Sequence, residues 1–141
     1  MGALSNYLES GILNHIFRGT KLTDWTTLYV GLVSSYSASS LEAGTLSAEI
    51  TNASYARQPV PVHASVWSAP YASGNATAIH NASGITFPVS DGDTGNVAGV
   101  IICNSLSAGD ILFHGPLTNT RNVTDQSQFV FPSGSLKVTF D

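Results

Sequence analysis

The chain has 141 residues, a net charge of −4 and only five Lys and Arg side chains, so it is one domain with a real core and no cationic face for nucleic acid. Its apolar fraction of 43% is ordinary, but charged residues make up only 10%, against about 25% in a typical soluble domain. Such a surface is either covered by Ser, Thr, Asn and Gly, or buried in an assembly.

Residues 5–18 read as the one helix. Ser5 is a good N-cap, Glu9 and Arg18 complement the helix dipole, and Gly19 stops the element. Leu8, Ile12 and Ile16, widened by Leu13 and Phe17, form an apolar stripe expected to pack in the core. Leu28–Val33 is apolar on both faces and reads as a central strand. Ser34–Ala53 is small, polar and Ser-rich, and is read as a mobile excursion. Tyr55–Val60 resumes extended structure, placed by Pro59 at a sheet edge or bend. Short strands are expected at Val66-Trp67, near Ala78–Asn81 and at Ile85–Val89.

The last third holds three apolar runs, Val97–Cys103, Ile111–His114 and Phe129–Phe131, and the alternating tail Leu136–Phe140. Turn residues separate them, so it reads as one half of an antiparallel sandwich. The fold class is mainly β: an antiparallel β-sandwich or jelly-roll-like domain over 1–141, with one N-terminal α-helix.

Motifs for chemistry are sparse. His15, His63, His80 and His114 form no zinc spacing, and no G-x-S-x-G, phosphate loop or G-x-G-x-x-G occurs. Cys103 lies in an apolar run and reads as a buried small side chain. Asp91, Asp93 and Gly95 open a calcium-type loop, but no Glu follows at the required distance, so a solvated turn competes with a cation site. The sequons at Asn52, Asn75, Asn81 and Asn122 read as accidents of composition, since the N-terminus carries no signal-peptide pattern. No apolar run reaches the roughly 20 residues of a membrane span. No catalytic residue, cofactor or metal is expected. Trp25, Trp67, Tyr36 and Tyr71 keep open a carbohydrate-binding β-domain.

Several blocks together resemble a family of small tailed-bacteriophage virion proteins. They are Ala3–Glu9 with Leu13-Asn14-His15, Leu28–Leu32, Tyr55-Ala56-Arg57-Gln58, Ile85–Pro88, Leu112–Thr118 and the closing Gly134–Asp141. They occur in order over the whole chain, which departs from the family at Asp91–Asn96, where a Trp-Gly is common. The resemblance implies a non-enzymatic structural protein of the virion, made in the bacterial cytoplasm. A capsid decoration (cement) protein on the head is the favoured form, with a tail or tail-fibre component as the alternative. The implied partners are the major capsid protein or other virion proteins, and further copies of the chain, a trimer among the candidate orders. Neither nucleic acid nor membrane is a partner. The interface candidates are Leu4, Tyr7, Leu41, Leu46, Tyr55 and Arg57.

Overall fold

The computed structural model describes residues 3–141; Met1 and Gly2 of the expected 1–141 domain lie outside the described residues. In chain order the elements are β1 (Ala3–Leu4), α1 (Asn6–Arg18), β2 (Thr27–Val33), α2 (Ala38–Glu42), β3 (Gln58–Pro61), β4 (Tyr71–Ser73), β5 (Ala76–His80), β6 (Ile85–Thr86), β7 (Gly95–Cys103), β8 (Ile111–Val123), β9 (Val130–Phe131) and β10 (Lys137–Phe140). A five-stranded sheet runs in the order β1-β8-β7-β2-β3, beside a three-stranded sheet β10-β5-β4 and a two-stranded sheet β6-β9. Every pairing is antiparallel.

The alternation of side chains along β2 and β7 gives the large sheet two apolar faces. Val30, Leu32, Val100 and Ile102 point one way, into a core completed by Trp67, Phe87, Phe131, Leu136 and Val138. This is the sandwich. Val33, Ile101, Cys103 and Ile111 join a second cluster, which Leu41 of α2 completes. The central strand is β7, as its unbroken apolar run requires, and β3 with its prolines occupies the edge.

Asn81 is fully buried and ties the small sheets together. Its Nδ2 donates to the carbonyls of Ser83 and Pro132, its Oδ1 accepts from Leu136 N–H, and its own N–H donates to Leu136 O. A sequon asparagine so enclosed is structural.

Three expectations are corrected. The last third is not one half of the sandwich: β7 and β8 enter the large sheet, β9 pairs with β6, and β10 pairs with β5. β8 also runs on to Val123, well past the apolar stretch at its start, because Asn96 and Val97 of β7 continue the ladder with Asn122 and Arg121. Ser34–Ala53 is an ordered segment rather than a mobile loop. It contains α2, returns to β2 through Ser34 N–H to Ala48 O (2.8 Å) and Ile50 N–H to Leu32 O (3.1 Å), and buries Leu41 and Ile50. Two apolar side chains are enough to anchor it, a signal its polar composition hides.

The third correction is the helix. Ser5 caps α1 as expected, accepting from Leu8 N–H, and Gly19 ends it at φ 69°. Ser5 also donates its hydroxyl to Ile111 O, and its N–H to Leu112 O. Yet Leu8 is the one buried residue of the stripe.

If the segment after β2 is anchored by its apolar contacts, Leu41→Ala removes a fully buried side chain and costs about 2–5 kcal/mol. Urea unfolding measures it; a change within the error of wild type would restore the mobile-loop reading.

Candidate assembly surface

Within the Tyr55–Gln58 block, Tyr55 and Arg57 turn toward the chain's own interior. β3 pairs with β2 only as far as Val30, so the N–H of Leu32 has no strand neighbour on that side. The Tyr55 hydroxyl fills the gap, accepting from Leu32 N–H at 3.0 Å and donating to Glu49 Oε1 at 2.8 Å. Glu49 in turn holds Arg57 with both oxygens, Nε–Oε1 2.7 Å and Nη2–Oε2 2.8 Å, and Arg57 Nη1 donates to the carbonyls of Ser105 and Ala108. The hydrogen bonds to Glu49 hold the guanidinium charged, and burial pushes the Tyr55 phenol up. Gly31 is required beneath this network: a Cβ there would lie 2.8 Å from the Tyr55 hydroxyl and 3.2 Å from Glu49 Oε1.

The six interface candidates therefore divide. Leu41 is 1% and Arg57 3% exposed, so both are interior and corrected as such. Tyr55 stacks on Phe87 at 6.1 Å and is spent on the network; Leu46 packs beside the α2 cluster. Leu4 on β1 is half-buried, as Leu46 is, and Tyr7 on α1 is exposed.

The larger apolar surfaces lie elsewhere. On α1, Leu13, Ile16 and Phe17 are 57%, 63% and 77% exposed, although periodicity had assigned them to the core. Periodicity shows that residues share a face, and here the sheet covers only the first part of that face. A second surface is a cleft of about 460 Å³ between the large sheet and the three-stranded sheet. Leu28, Ile102 and Phe113 of the large sheet form one wall, and Ile79 and Val138 of the small sheet another. Val62 and Trp67 complete it with the exposed His63, and no Lys, Arg, Asp or Glu lines it. Sequence reasoning had Trp67 but not its neighbours, which come from five distant segments.

The remaining candidates are placed as follows. Trp67 lines the cleft, whereas Tyr36 lies by the opposite cluster with its hydroxyl 3.0 Å from His114 Nδ1, and Tyr71 sits edge-on to His80 at 5.4 Å. Trp25 is half-buried and lines none of these surfaces. The aromatics thus form no common sugar platform. Asp93 Oδ1 accepts from Asp125 N–H, and Asn52 Nδ2 donates to Asp93 O, so the acidic turn is closed by its own hydrogen bonds. Among the described residues no three His, Cys, Asp or Glu side chains gather as a metal-holding set. Cys103 is fully buried, and that burial pushes its thiol up to about 12. Burial lowers His114, against a smaller raising effect of the Glu42 carboxylate.

Two outcomes test this interior. Arg57→Ala strands Glu49 and two loop carbonyls and should cost about 3–5 kcal/mol in urea unfolding. Arg57→Lys should recover little, because an ammonium cannot fork across both carboxylate oxygens. Equal stability of wild type and both variants would show the network to be idle. For His114, a depressed native pKa means that the unfolded chain binds more protons near the ordinary value of about 6.5. Stability is therefore full above that value and falls as pH drops through it toward the native one. Melting temperature should fall less from about pH 7.5 to about pH 5 in His114→Gln than in wild type. Parallel curves would remove His114 as a cause.

The family model described as Podophage GP4 fiber I protein gp80 matches residues 3–139. No protein with a curated description matches the chain. The match takes in α1, all three sheets, the Tyr55–Arg57 network and the cleft, and it agrees with the ordered sequence blocks. The chain belongs to the Podophage GP4 fiber I protein gp80 family, a family of bacteriophage virion structural proteins.

Proposed function

We propose that the chain is a structural subunit of a phage tail fibre, acting through protein–protein contacts and not through catalysis. The observation that carries this reading is the family match over residues 3–139, whose description names a fibre protein. The surface is in keeping with it: few charges, and apolar side chains exposed on α1 and around the cleft, as expected where interface centres are depleted of charge. Its partners are other virion proteins and further copies of itself.

A compact chain with no long fibrous stretch suits a head decoration protein and equally a globular unit of a fibre, and the family description names a fibre protein. Antibody against the purified chain, carried on gold and viewed on intact particles, should mark the tail fibres. Label spread over the head would instead return the decoration reading.

A further inference from the structure

We infer that residues 36–46 form a flap that acid releases: protonation of His114, buried beneath it, favours an open form in which the apolar cluster under α2 meets water.

The flap is fastened at its base and lightly held beyond it. At the base, Ser34 N–H donates to Ala48 O at 2.8 Å, and Val33 bridges to Glu49. Further out the backbone bonds are local, among them Leu41 N–H to Ser37 O, Ala43 N–H to Ser39 O and Thr45 N–H to Ser40 O. Side chains hold this part to the sheet. Leu41 is buried in the cluster of Val33, Ile101, Cys103 and Ile111, and Leu46 packs beside it. The Tyr36 hydroxyl lies 3.0 Å from His114 Nδ1, and among the described residues this is the only hydrogen bond from residues 36–46 to a strand. Gly99 makes room for the ring: a Cβ there would lie 2.9 Å from Tyr36 Cδ2.

That hydrogen bond ends on a group that acid charges. His114 is 2% exposed, and its Nε2 is buried without a hydrogen-bond partner. An imidazolium carries a donor on both nitrogens; the Tyr36 oxygen can accept one, and the other has no acceptor. Burying a charge in that condition is costly. The surrounding groups do not offset it. Tyr36 stays protonated, its phenol raised by burial and by Glu42. Ile101 stands opposite His114 on β7, with Cys103 beyond it kept as a neutral thiol, and Ala3 stands opposite on β1. The titratable side chains of α1 (Tyr7, Glu9, His15 and Arg18) are exposed and do not shift the ring. Glu42 of α2 attracts the imidazolium, but less than burial opposes it. Lifting the flap hydrates both nitrogens. Opening therefore grows as pH falls below the ordinary value of about 6.5, and levels off below the depressed native one.

The one cysteine of the chain reads this opening, because Cys103 is fully buried in the cluster that the flap covers. Its labelling by a dipyridyl disulfide is followed on the full chain, each rate divided by that of the urea-unfolded chain at the same pH. In wild type the ratio should be low at about pH 7.5 and several-fold higher at about pH 5, growing by at most about tenfold per pH unit, with an unchanged circular dichroism spectrum. In His114→Gln it should be the same at both pH values. Tyr36→Phe keeps the ring and loses the hydrogen bond, so it should raise the ratio several-fold at the higher pH, and it tests the flap even where the His114 variant misfolds. Sub-denaturing urea should change the acid labelling little, since lifting a flap exposes little surface. A wild-type ratio that does not rise with acid would overturn the inference, and so would a rise that His114→Gln retains. A Tyr36→Phe ratio equal to that of wild type would count equally against it. Labelling that follows urea as steeply as unfolding does would also overturn it, because Cys103 would then be reached only in the unfolded chain.

Discussion

The ion pair between Glu49 and Arg57 is the constraint on which much of the large sheet depends. β3 is cut short by its prolines, and beyond Val30 the outer edge of β2 would face solvent unpaired. Glu49 and Ile50 close that edge from the backbone, through the isolated bridge of Glu49 to Val33 and the bond from Ile50 N–H to Leu32 O. Tyr55 closes it from a side chain. Arg57 then reaches past Glu49 to the carbonyls of the β7–β8 connection. One guanidinium thus joins three segments that no strand ladder links. A buried pair of this kind adds little over an apolar replacement, but it specifies which segments meet. In a chain so poor in charges, these two are kept inside.

The scarcity of charge also explains what the surface does with its apolar residues. With 10% Lys, Arg, Asp and Glu, the exterior is made of hydroxyls, amides and small side chains, and contiguous apolar area is found at the end of α1 and at the cleft. Scattered exposed apolar residues are ordinary. Three gathered within little more than one turn of one helix, and separately a cleft lined by apolar and aromatic groups, are patches of the kind that mark interaction sites.

Much of the framework was legible in the sequence. Ser5 and Gly19 delimit α1 because capping is local chemistry, and Leu28–Val33 lies inside the large sheet between β7 and β3 because a run apolar on both faces needs cover on both. Pro59 and Pro61 announced an edge. What was hidden depends on long-range partners. Leu41 and Ile50 carry no local pattern, and their burial is decided by the sheet face they meet. The Tyr-Ala-Arg-Gln block is visible as a motif, but that Arg57 turns inward depends on Glu49 and on carbonyls about 50 residues away. The cleft had no signature at all, since its walls come from separate strands. The helix stripe misled for the opposite reason: its period was right, but period alone does not say whether the facing surface belongs to the same molecule.

The helix α1 is attached to the large sheet by an indirect route. The helix is joined to the sheet less by side-chain packing, since Leu8 is its one buried residue, than by the backbone that precedes it. Ala3 and Leu4 pair with His114 and Phe113, and Ser5 adds bonds to the carbonyls of Ile111 and Leu112. Phe113 stands directly opposite Leu4 in this ladder and also lines the cleft.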